Sequence, residues 1–290
     1  MRSDRMIPGG SISMGARPPM SRPSAGAGGG IPPQPEHPAV MDEAEIWLDE
    51  LGLSFSGGQL TSWTNRGTGG ATFDLVTVET PSATSQGSRQ GNDGHTRPVL
   101  TLSEPGTRGF ITSPTAVLAN QWSGEIFAAC RYGYIGDPGQ GRGTIVGAHQ
   151  TDISSGNHHV YLRVQGSFGQ DKANINIGKG PGAGAGGVQL AQAMDSEWGQ
   201  WRGRYDRAGQ RPSLWATRPV PQFNSVGGIL AADDYWKITY FGYSWTTAQN
   251  WRGDVAELLL FNRLLTDQEA ADIEDYLDLK WNTGQYGFDP

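Results

Sequence analysis

Cysteine and long apolar runs are scarce in this chain, and each shortage excludes a class of protein. A single cysteine, Cys130, occurs among 290 residues. One thiol forms neither an internal disulfide framework nor a cysteine-based zinc cluster within one chain. Because Cys130 lies in the apolar run EIFAACRY, we expect a buried free thiol. No run approaches the roughly 18 consecutive apolar residues of a transmembrane helix, so we expect no membrane partner.

Positive charge is also in short supply, and it is unevenly distributed. The chain has 22 Lys and Arg against 29 Asp and Glu, a net charge of −7. Residues 1–35 carry four arginines (Arg2, Arg5, Arg17 and Arg22) against one aspartate, a net +3 that leaves −10 for the remainder. An acidic body lacks the basic surface that binds phosphate backbones, so we expect no nucleic-acid partner.

The first 38 residues differ in composition from the rest and are rich in Gly, Pro, Ser and Arg. Their few apolar residues follow neither helical nor strand period, so the segment cannot offset its ordering entropy alone. A disordered tail is one interpretation. The other, which we adopt as a hypothesis, is an extended docking arm that becomes ordered against another protein. No apolar stretch follows the arginines, so we expect no secretory signal.

Short runs bounded by turn residues fill the body of the chain. Glycine, with 43 residues, occurs at about twice its usual share, so turns must be numerous. In HHVYLRV, period-2 alternation puts Val160 and Leu162 on one face and Tyr161 and Arg163 on the other. The other runs that predict strands are FDLVTVE, PVLTLS, GFIT, GEIFAACRY, GTIVGAH, KANINIG, WGQWRGRY, PSLWATR and KITYFGYS. No repeat has a fixed period, so a sandwich or barrel is favoured over a propeller.

Helical character is confined to two stretches. The first, MDEAEIWLDELGL, is expected to form a short helix or turn with Ile46, Trp47 and Leu51 inward. The second follows a predicted strand over Val255–Phe261 and begins at Thr266. Its local signals agree with one another.

The C-terminal run TDQEAADIEDYLDLKW carries the start and stop signals of a helix. Thr266 and Glu269 have the spacing of a capping box, which satisfies two of the free backbone N–H groups at a helix N-terminus. Acidic residues occupy the first turn and Lys280 the last, as the helix dipole favours. Residues at helical spacing give one apolar face: Ala270, Ile273, Leu277 and Trp281. We expect Gly284 to lie just beyond the end.

This strand and helix resemble the C-terminal signature of laminin-G-like domains, G-D-[VI]-A-E-[LV]-L-[LI]-[FY]-N-R-x-L followed by a helix closing on Y-L-x-x-K-W. LSFSGGQLTSWTNRGTGGATFDL is similar to the opening of the same family. The family belongs to the concanavalin A-like lectin/glucanase superfamily, and the resemblance covers about residues 42–283. It implies an all-β jelly-roll sandwich of two antiparallel sheets with a C-terminal helix. With the extended N-terminal arm, the units are residues 1–38 and 39–290, and the run 178–187 is expected to be a surface loop.

Carboxylates do not form a catalytic pattern in this sequence. Glycosidases of the superfamily place alternating carboxylates on one strand, as in E-x-D-x-E, so that an acid and a nucleophile share one cleft. No such run occurs. Asp272, Glu274 and Asp275 are expected on a solvated helix face, and Glu257 is expected to hydrogen-bond structurally. We therefore expect that the protein is not an enzyme and has no catalytic residues.

Metal and cofactor motifs are equally sparse. His158 and His159 are adjacent on a predicted strand, so they point to opposite faces and cannot share a metal. Many lectins of the superfamily bind Ca²⁺ through loop oxygens. A loop-bound Ca²⁺ is left open, with its ligands drawn from Asp137, Asp152, Asn157 and Asp171. Otherwise we expect no cofactor.

Aromatic residues provide the candidate binding site. The run YFGYSWTTAQNW places Tyr243, Trp245 and Trp251 around a polar turn with Asn250. Aromatic rings beside an amide grip a sugar by stacking and hydrogen bonding. The alternative is that these rings fill the sandwich core or a subunit contact.

Two functions follow from these features. Laminin-G-like domains are frequently attached to bacteriophage capsid and tail proteins, so the resemblance implies a non-enzymatic virion structural protein. In this interpretation it decorates the capsid or tail surface, forms a homo-oligomer or binds singly, and adheres to host surface glycans. Its arm arginines contact capsid or tail proteins of the same virion. The alternative is a carbohydrate-binding, lectin-like protein of bacterial origin.

Overall fold

Short strands make up most of the molecule, as the frequent turn residues predict. The computed structural model describes residues 34–77, 84–102, 110–111, 117–120, 123–133, 142–147, 158–165, 172–179, 186–191, 196–206, 208–209, 211–218, 220–225, 235–237, 240–241 and 251–284. The predicted docking arm, residues 1–38, lies outside this part of the chain except for its last five residues.

The described residues contain strands and one α-helix, with short 3₁₀ turns at Ala39–Glu43, Glu50–Gly52 and Gly70–Phe73. In chain order the elements are β1 (Ile46–Leu48), β2 (Leu53–Ser56), β3 (Gln59–Trp63), β4 (Leu75–Thr77), β5 (Thr84–Gln90), β6 (Thr96–Leu102), β7 (Phe110–Ile111), β8 (Val117–Asn120), β9 (Gly124–Tyr132), β10 (Arg142–Gly147), β11 (His158–Gln165), β12 (Lys172–Lys179), β13 (Gly186–Gln189), β14 (Trp198–Asp206), β15 (Arg211–Ala216), β16 (Gln222–Ser225), β17 (Tyr235–Lys237), β18 (Tyr240–Phe241), β19 (Gly253–Phe261) and α1 (Asp267–Trp281).

The strands form two sheets. The first has eight strands in the order β16-β15-β14-β9-β19-β6-β5, with β1 also paired to β19. The second has eleven and runs β13-β12-β11-β10-β18-β7-β4-β3-β2, with β17 and β8 beside this path. Neighbours are antiparallel except for β17, which pairs parallel with β11. The predicted all-β, two-sheet jelly-roll sandwich with a C-terminal helix is confirmed.

Both faces of the eight-stranded sheet are covered, which explains its unusually apolar central strands. Along β9, alternate residues Ile126 and Ala128 belong to the core between the two sheets. Phe127 and Ala129, on the opposite face, belong to a second core under α1. Because successive residues of a strand point to opposite faces, a strand buried on both sides reads as a continuous apolar run. Cys130 is a buried free thiol, as predicted.

Helix α1 begins and ends where its sequence predicts. The Thr266 side chain accepts from the backbone N–H of Glu269, whose carboxylate accepts from that of Thr266, so the capping box is complete. Arg263 donates to the same carboxylate and is the main cause that lowers the pKa of Glu269 to about 2. Asn282 ends the helix in the left-handed conformation, with φ of 52°. All four residues of the predicted apolar face are buried.

Two local predictions were wrong. Leu51 was expected inward but is 68% exposed, whereas Ile46 and Trp47 are buried as predicted. The difference arises because Ile46–Leu48 extends as β1 along β19 and the chain then turns at Asp49, whose side chain accepts from the N–H of Leu51. The run KITYFGYS does not form one strand, since Lys237 ends β17 and β18 covers only Tyr240–Phe241.

Candidate functional site

Trp251, one of the predicted glycan-binding residues, lies in the core between the sheets. Its side chain is 1% exposed. The ring meets Trp201 edge to face at 5.5 Å between centroids, and Tyr132 lies 5.2 Å away on another side. Aromatic pairs of this kind stabilise cores, and a ring so enclosed has no face open to a sugar. For Trp251 the structure therefore matches the core-packing alternative.

The other predicted contact residues lie outside the described part of the chain. For glycan binding these are Tyr243, Trp245 and Asn250. For assembly contacts they are Arg2, Arg5, Arg17 and Arg22, and for calcium Asp137, Asp152, Asn157 and Asp171. These assignments stay predictions. Within the described ranges, no group of three or more His, Cys, Asp or Glu side chains is placed to hold a metal ion.

Glu257 is fully buried beneath α1, where it hydrogen-bonds as the sequence predicts. Its two carboxylate oxygens accept from the indole N–H groups of Trp47, at 2.8 Å, and Trp281, at 2.7 Å. The Lys280 ammonium lies 2.9 Å from the second oxygen. The residue therefore joins β1, β19 and α1 in one buried contact. Its partners are all hydrogen-bond donors.

Glu274 corrects the prediction of a solvated acidic helix face. Its carboxylate lies 3.0 Å from the guanidinium of Arg202, and its side chain is only 17% exposed. Arg202 in turn pairs with the fully buried Glu125 at 2.7 Å. Burial is the main cause that raises the pKa of Glu274 to about 7, with Arg202 opposing it. The error arose because Glu274 follows Ile273 at the edge of the apolar face, and a helix lying on a sheet buries such edge positions.

The register of three consecutive strands in the second sheet, β11, β12 and β13, aligns polar positions beside one another. Leu162 pairs with Ile175, which pairs with Val188. Leu162 and Val188 belong to the core, so this row faces inward. The rows on either side of it must then lie on the opposite, outer face.

Two polar rows occupy that outer face, and we call them the amide rows. In one, Arg163 pairs with Asn174, which pairs with Gln189; in the other, Tyr161 pairs with Asn176. Neighbouring strands lie about 4.8 Å apart, and alternate residues along a strand are about 6.8 Å apart. These five sequence positions are therefore close together along the backbones of three adjacent strands.

The amide rows have an open end at the edge of the sheet. Gln189 is partly exposed on β13, the last strand, and its backbone carbonyl accepts from the Asn224 side chain at 2.7 Å. At the other end of the row, Thr144 pairs with Arg163 and is fully buried. The sequence alone indicated the outward alternation of Tyr161 and Arg163. It did not predict the register that adds the two asparagines and the glutamine.

Comparisons with known proteins bear on the fold. No protein-family model matches the chain, and no curated protein matches its sequence. An arabinofuranosidase complexed with arabinofuranosyl-α-1,2-xylobiose is 10% identical with a TM-score of 0.55, over 77% of this chain and 51% of that one. A GH54 α-L-arabinofuranosidase soaked with a cyclic sulfate inhibitor is 10% identical with a TM-score of 0.50, over 78% and 52%.

A more distant likeness is to the Ruminococcus gnavus IT-sialidase CBM40 bound to α2,3-sialyllactose. It is 12% identical with a TM-score of 0.42, over 64% of this chain and 96% of that one.

Within the described residues, no helix has the length and apolar character needed to cross a bilayer. The chain spans about half the length of the arabinofuranosidases it matches. At these identities the likeness shows the fold alone, a concanavalin-like jelly-roll sandwich.

Proposed function

We propose that this protein is a carbohydrate-binding, lectin-like sandwich that holds a glycan over the amide rows. The observation that carries the proposal is the register that aligns Arg163, Asn174 and Gln189 beside Tyr161 and Asn176 on one outer face. Sugar hydroxyls both donate and accept, and amide side chains offer both functions. A phenol ring adds an apolar surface for stacking. The arabinofuranosidase and CBM40 complexes supply only the precedent of related folds that bind sugars.

We also propose that binding occurs without hydrolysis. Glycoside hydrolysis needs two carboxyl groups facing one another across the substrate, one to act as an acid. Three carboxylates of the described residues, Glu125, Glu257 and Glu274, are held by cations or indoles where α1 covers the first sheet, away from the amide rows. This arrangement supports a binding role. The hydrolytic activity of the arabinofuranosidases is not carried over to this chain.

A glycan array with matched variants tests the proposal. We expect the wild-type protein to bind at least one neutral glycan, and we expect Tyr161→Ala and Asn176→Ala each to weaken that binding about tenfold. Gln86→Ala removes an exposed amide from β5 of the other sheet and should leave binding unchanged. Release of reducing sugar from the bound glycan should stay at background. A blank array, or equal binding by all three variants, would remove the assignment of the site.

The virion interpretation stays a separate prediction. It depends on the arm, residues 1–38, and on capsid or tail proteins as partners, and the described residues do not bear on either. Its localisation on a virion surface is likewise untested. The two proposals are compatible, because a virion protein can display a carbohydrate-binding sandwich.

A further inference from the structure

Three arginines gather near the C-terminal end of α1, on the helix-covered face of the eight-stranded sheet. The Arg89 guanidinium lies 5.3 Å from the ring centre of Trp198. Arg131 is the strand partner of Trp198. Arg218 follows β15 and lies against the next residue of β14, since a Cβ placed on Gly199 would be 3.1 Å from its Cγ. Arg89 and Arg131 thus flank Trp198, and the Arg218 guanidinium lies just beyond the last turn of α1, where a Cβ placed on Gly284 would be 3.6 Å from its Nε.

Two of these arginines have partners within the molecule. Arg89 donates to the backbone carbonyls of Trp281 at 2.9 Å and Asn282 at 2.8 Å, which satisfies the end of α1. Arg131 pairs with Asp254 at 2.5 Å. Their positions are explained by the fold.

Arg218 is different. It is partly buried, and its Nε atom is buried without a hydrogen-bond partner. Among the described residues it forms no hydrogen bond or ion pair. By contrast, Arg66, Arg97 and Arg202 each meet a carboxylate. A buried guanidinium nitrogen without an acceptor costs free energy, so Arg218 has a donor available for an acceptor that the described residues do not supply.

The local electrostatics favour an anion. Burial is the main cause that lowers the pKa of Arg89, and repulsion from Arg131 and Arg218 adds to it, while Glu197 acts in the opposite direction. The three positive charges therefore lie close enough to repel one another, in a protein whose net charge is −7. An anion between them would relieve that repulsion and complete the hydrogen bonding of Arg218.

We propose that Arg218, supported by Arg89 and Arg131, binds an oxyanion: the carboxylate or sulfate group of an acidic glycan. A guanidinium matches either group because its N–H donors form a planar fork. The site lies on the helix-covered side of the sandwich, opposite the amide rows. The choice of a glycan as the source of the anion rests on the proposed function, whereas the oxyanion site itself does not.

Calorimetric titration of the full chain at about 0.15 M salt tests the site, so that weak surface attraction is screened. The probes are a carboxylated oligosaccharide (oligogalacturonate), a sulfated one (chondroitin sulfate), neutral dextran and inorganic sulfate. We expect one of the acidic probes to bind and Arg218→Gln to weaken it about tenfold. The matched control is Arg211→Gln, which removes an exposed arginine of β15 and should change affinity less than about twofold. The carboxylated and sulfated arms identify the source of the anion.

Thermal unfolding separates a binding role from a structural one. Because no described residue accepts a hydrogen bond from Arg218, Arg218→Gln should leave Tm unchanged or raise it. A clear fall in Tm would show that the residue supports the fold and would overturn the proposal. So would the absence of binding to every anionic probe, or equal losses in Arg218→Gln and Arg211→Gln. Acidic-probe binding that survives Tyr161→Ala and Asn176→Ala would support this site even if the amide rows fail their own test.

Discussion

The two faces of the eight-stranded sheet are both buried, yet they are built from different chemistry. The face toward the second sheet is lined by apolar and aromatic side chains, among them Ile126, Ala128, Val255, Leu258 and Trp251. The face toward α1 combines an apolar cluster with buried charges: Glu125, Arg202, Glu257 and Lys280. Burial by itself therefore does not predict apolar residues. The second sheet covers one face of the eight-stranded sheet with a large apolar area. On the other face, the single helix α1 is positioned by specific contacts with buried charged side chains.

Lys280 connects the last turn of α1 to two separate segments. Lys280 lies 2.7 Å from Glu50 and 2.9 Å from Glu257. Burial lowers the pKa of Lys280, but the charges of Glu257, Tyr276 and Glu50 outweigh it and hold that pKa above its ordinary value. Lys280 therefore stays charged under the helix, and the geometry of its carboxylates specifies where the last turn of α1 must lie.

Among the substitutions that test the difference between the two faces, Glu257→Gln is expected to lower the free energy of unfolding the most. The amide would present an N–H₂ group to one of the two indole N–H donors and would remove the charge opposite Lys280. Breaking a buried pair in this way should cost about 3 kcal/mol in the free energy of unfolding. Urea unfolding measures it. Glu43→Gln is the control, since it alters the exposed pair with Arg263 and should cost less than about 0.5 kcal/mol. A loss below about 1 kcal/mol for Glu257→Gln would mean that the buried charges do not hold the helix.

An effect of intermediate size is expected in the pH dependence of stability, and it arises from the carboxyl group of Glu274. Its pKa is about 7 in the folded protein against an ordinary value of 4.5, so between these values the folded state holds a proton that the unfolded state has lost. The resulting stability is fully present below about pH 4.5 and is lost as pH rises through about 7. The groups facing it are Arg202, which lowers the pKa, and Glu125 and Asp275, which raise it.

Urea unfolding across this pH range gives the measurement. Relative to Glu274→Gln, which cannot titrate, the wild-type protein should lose about 3 kcal/mol between pH 4.5 and pH 8. Asp272→Asn is the control on the same helix, where the carboxylate accepts from Gln268 near the surface; its difference from wild type should stay flat. If the stability difference between wild type and Glu274→Gln also stayed flat across this pH range, the distinction between the two faces would be removed at this position.

The sequence predicts local order in this protein better than it predicts these contacts. Strand β19, the capping box and the apolar face of α1 follow from periodicity over a few residues, so they were predictable. The pairing of Glu274 with Arg202 and of Asn176 with Tyr161 depends on which strands become neighbours. Glu274 and Arg202 are 72 residues apart. Tyr161 and Asn176 lie on consecutive strands, but their pairing depends on a register that the whole sandwich sets. Trp251 shows the same limit, since its sequence neighbours are polar while its spatial neighbours are aromatic.

The smallest loss of stability is expected from Thr266→Ala. This substitution tests whether α1 is stabilised mainly by its own N-terminal cap or by its contacts with the sheet. The change removes the side-chain acceptor for the N–H of Glu269 but leaves every buried charge in place. Loss of an N-cap costs about 1 kcal/mol, measured by the same urea unfolding. If Thr266→Ala instead cost as much as Glu257→Gln, local helix formation would be the limiting step in closing this face. The expected order, with the cap well below the buried carboxylate, would show that α1 is held mainly by what it contacts on the sheet.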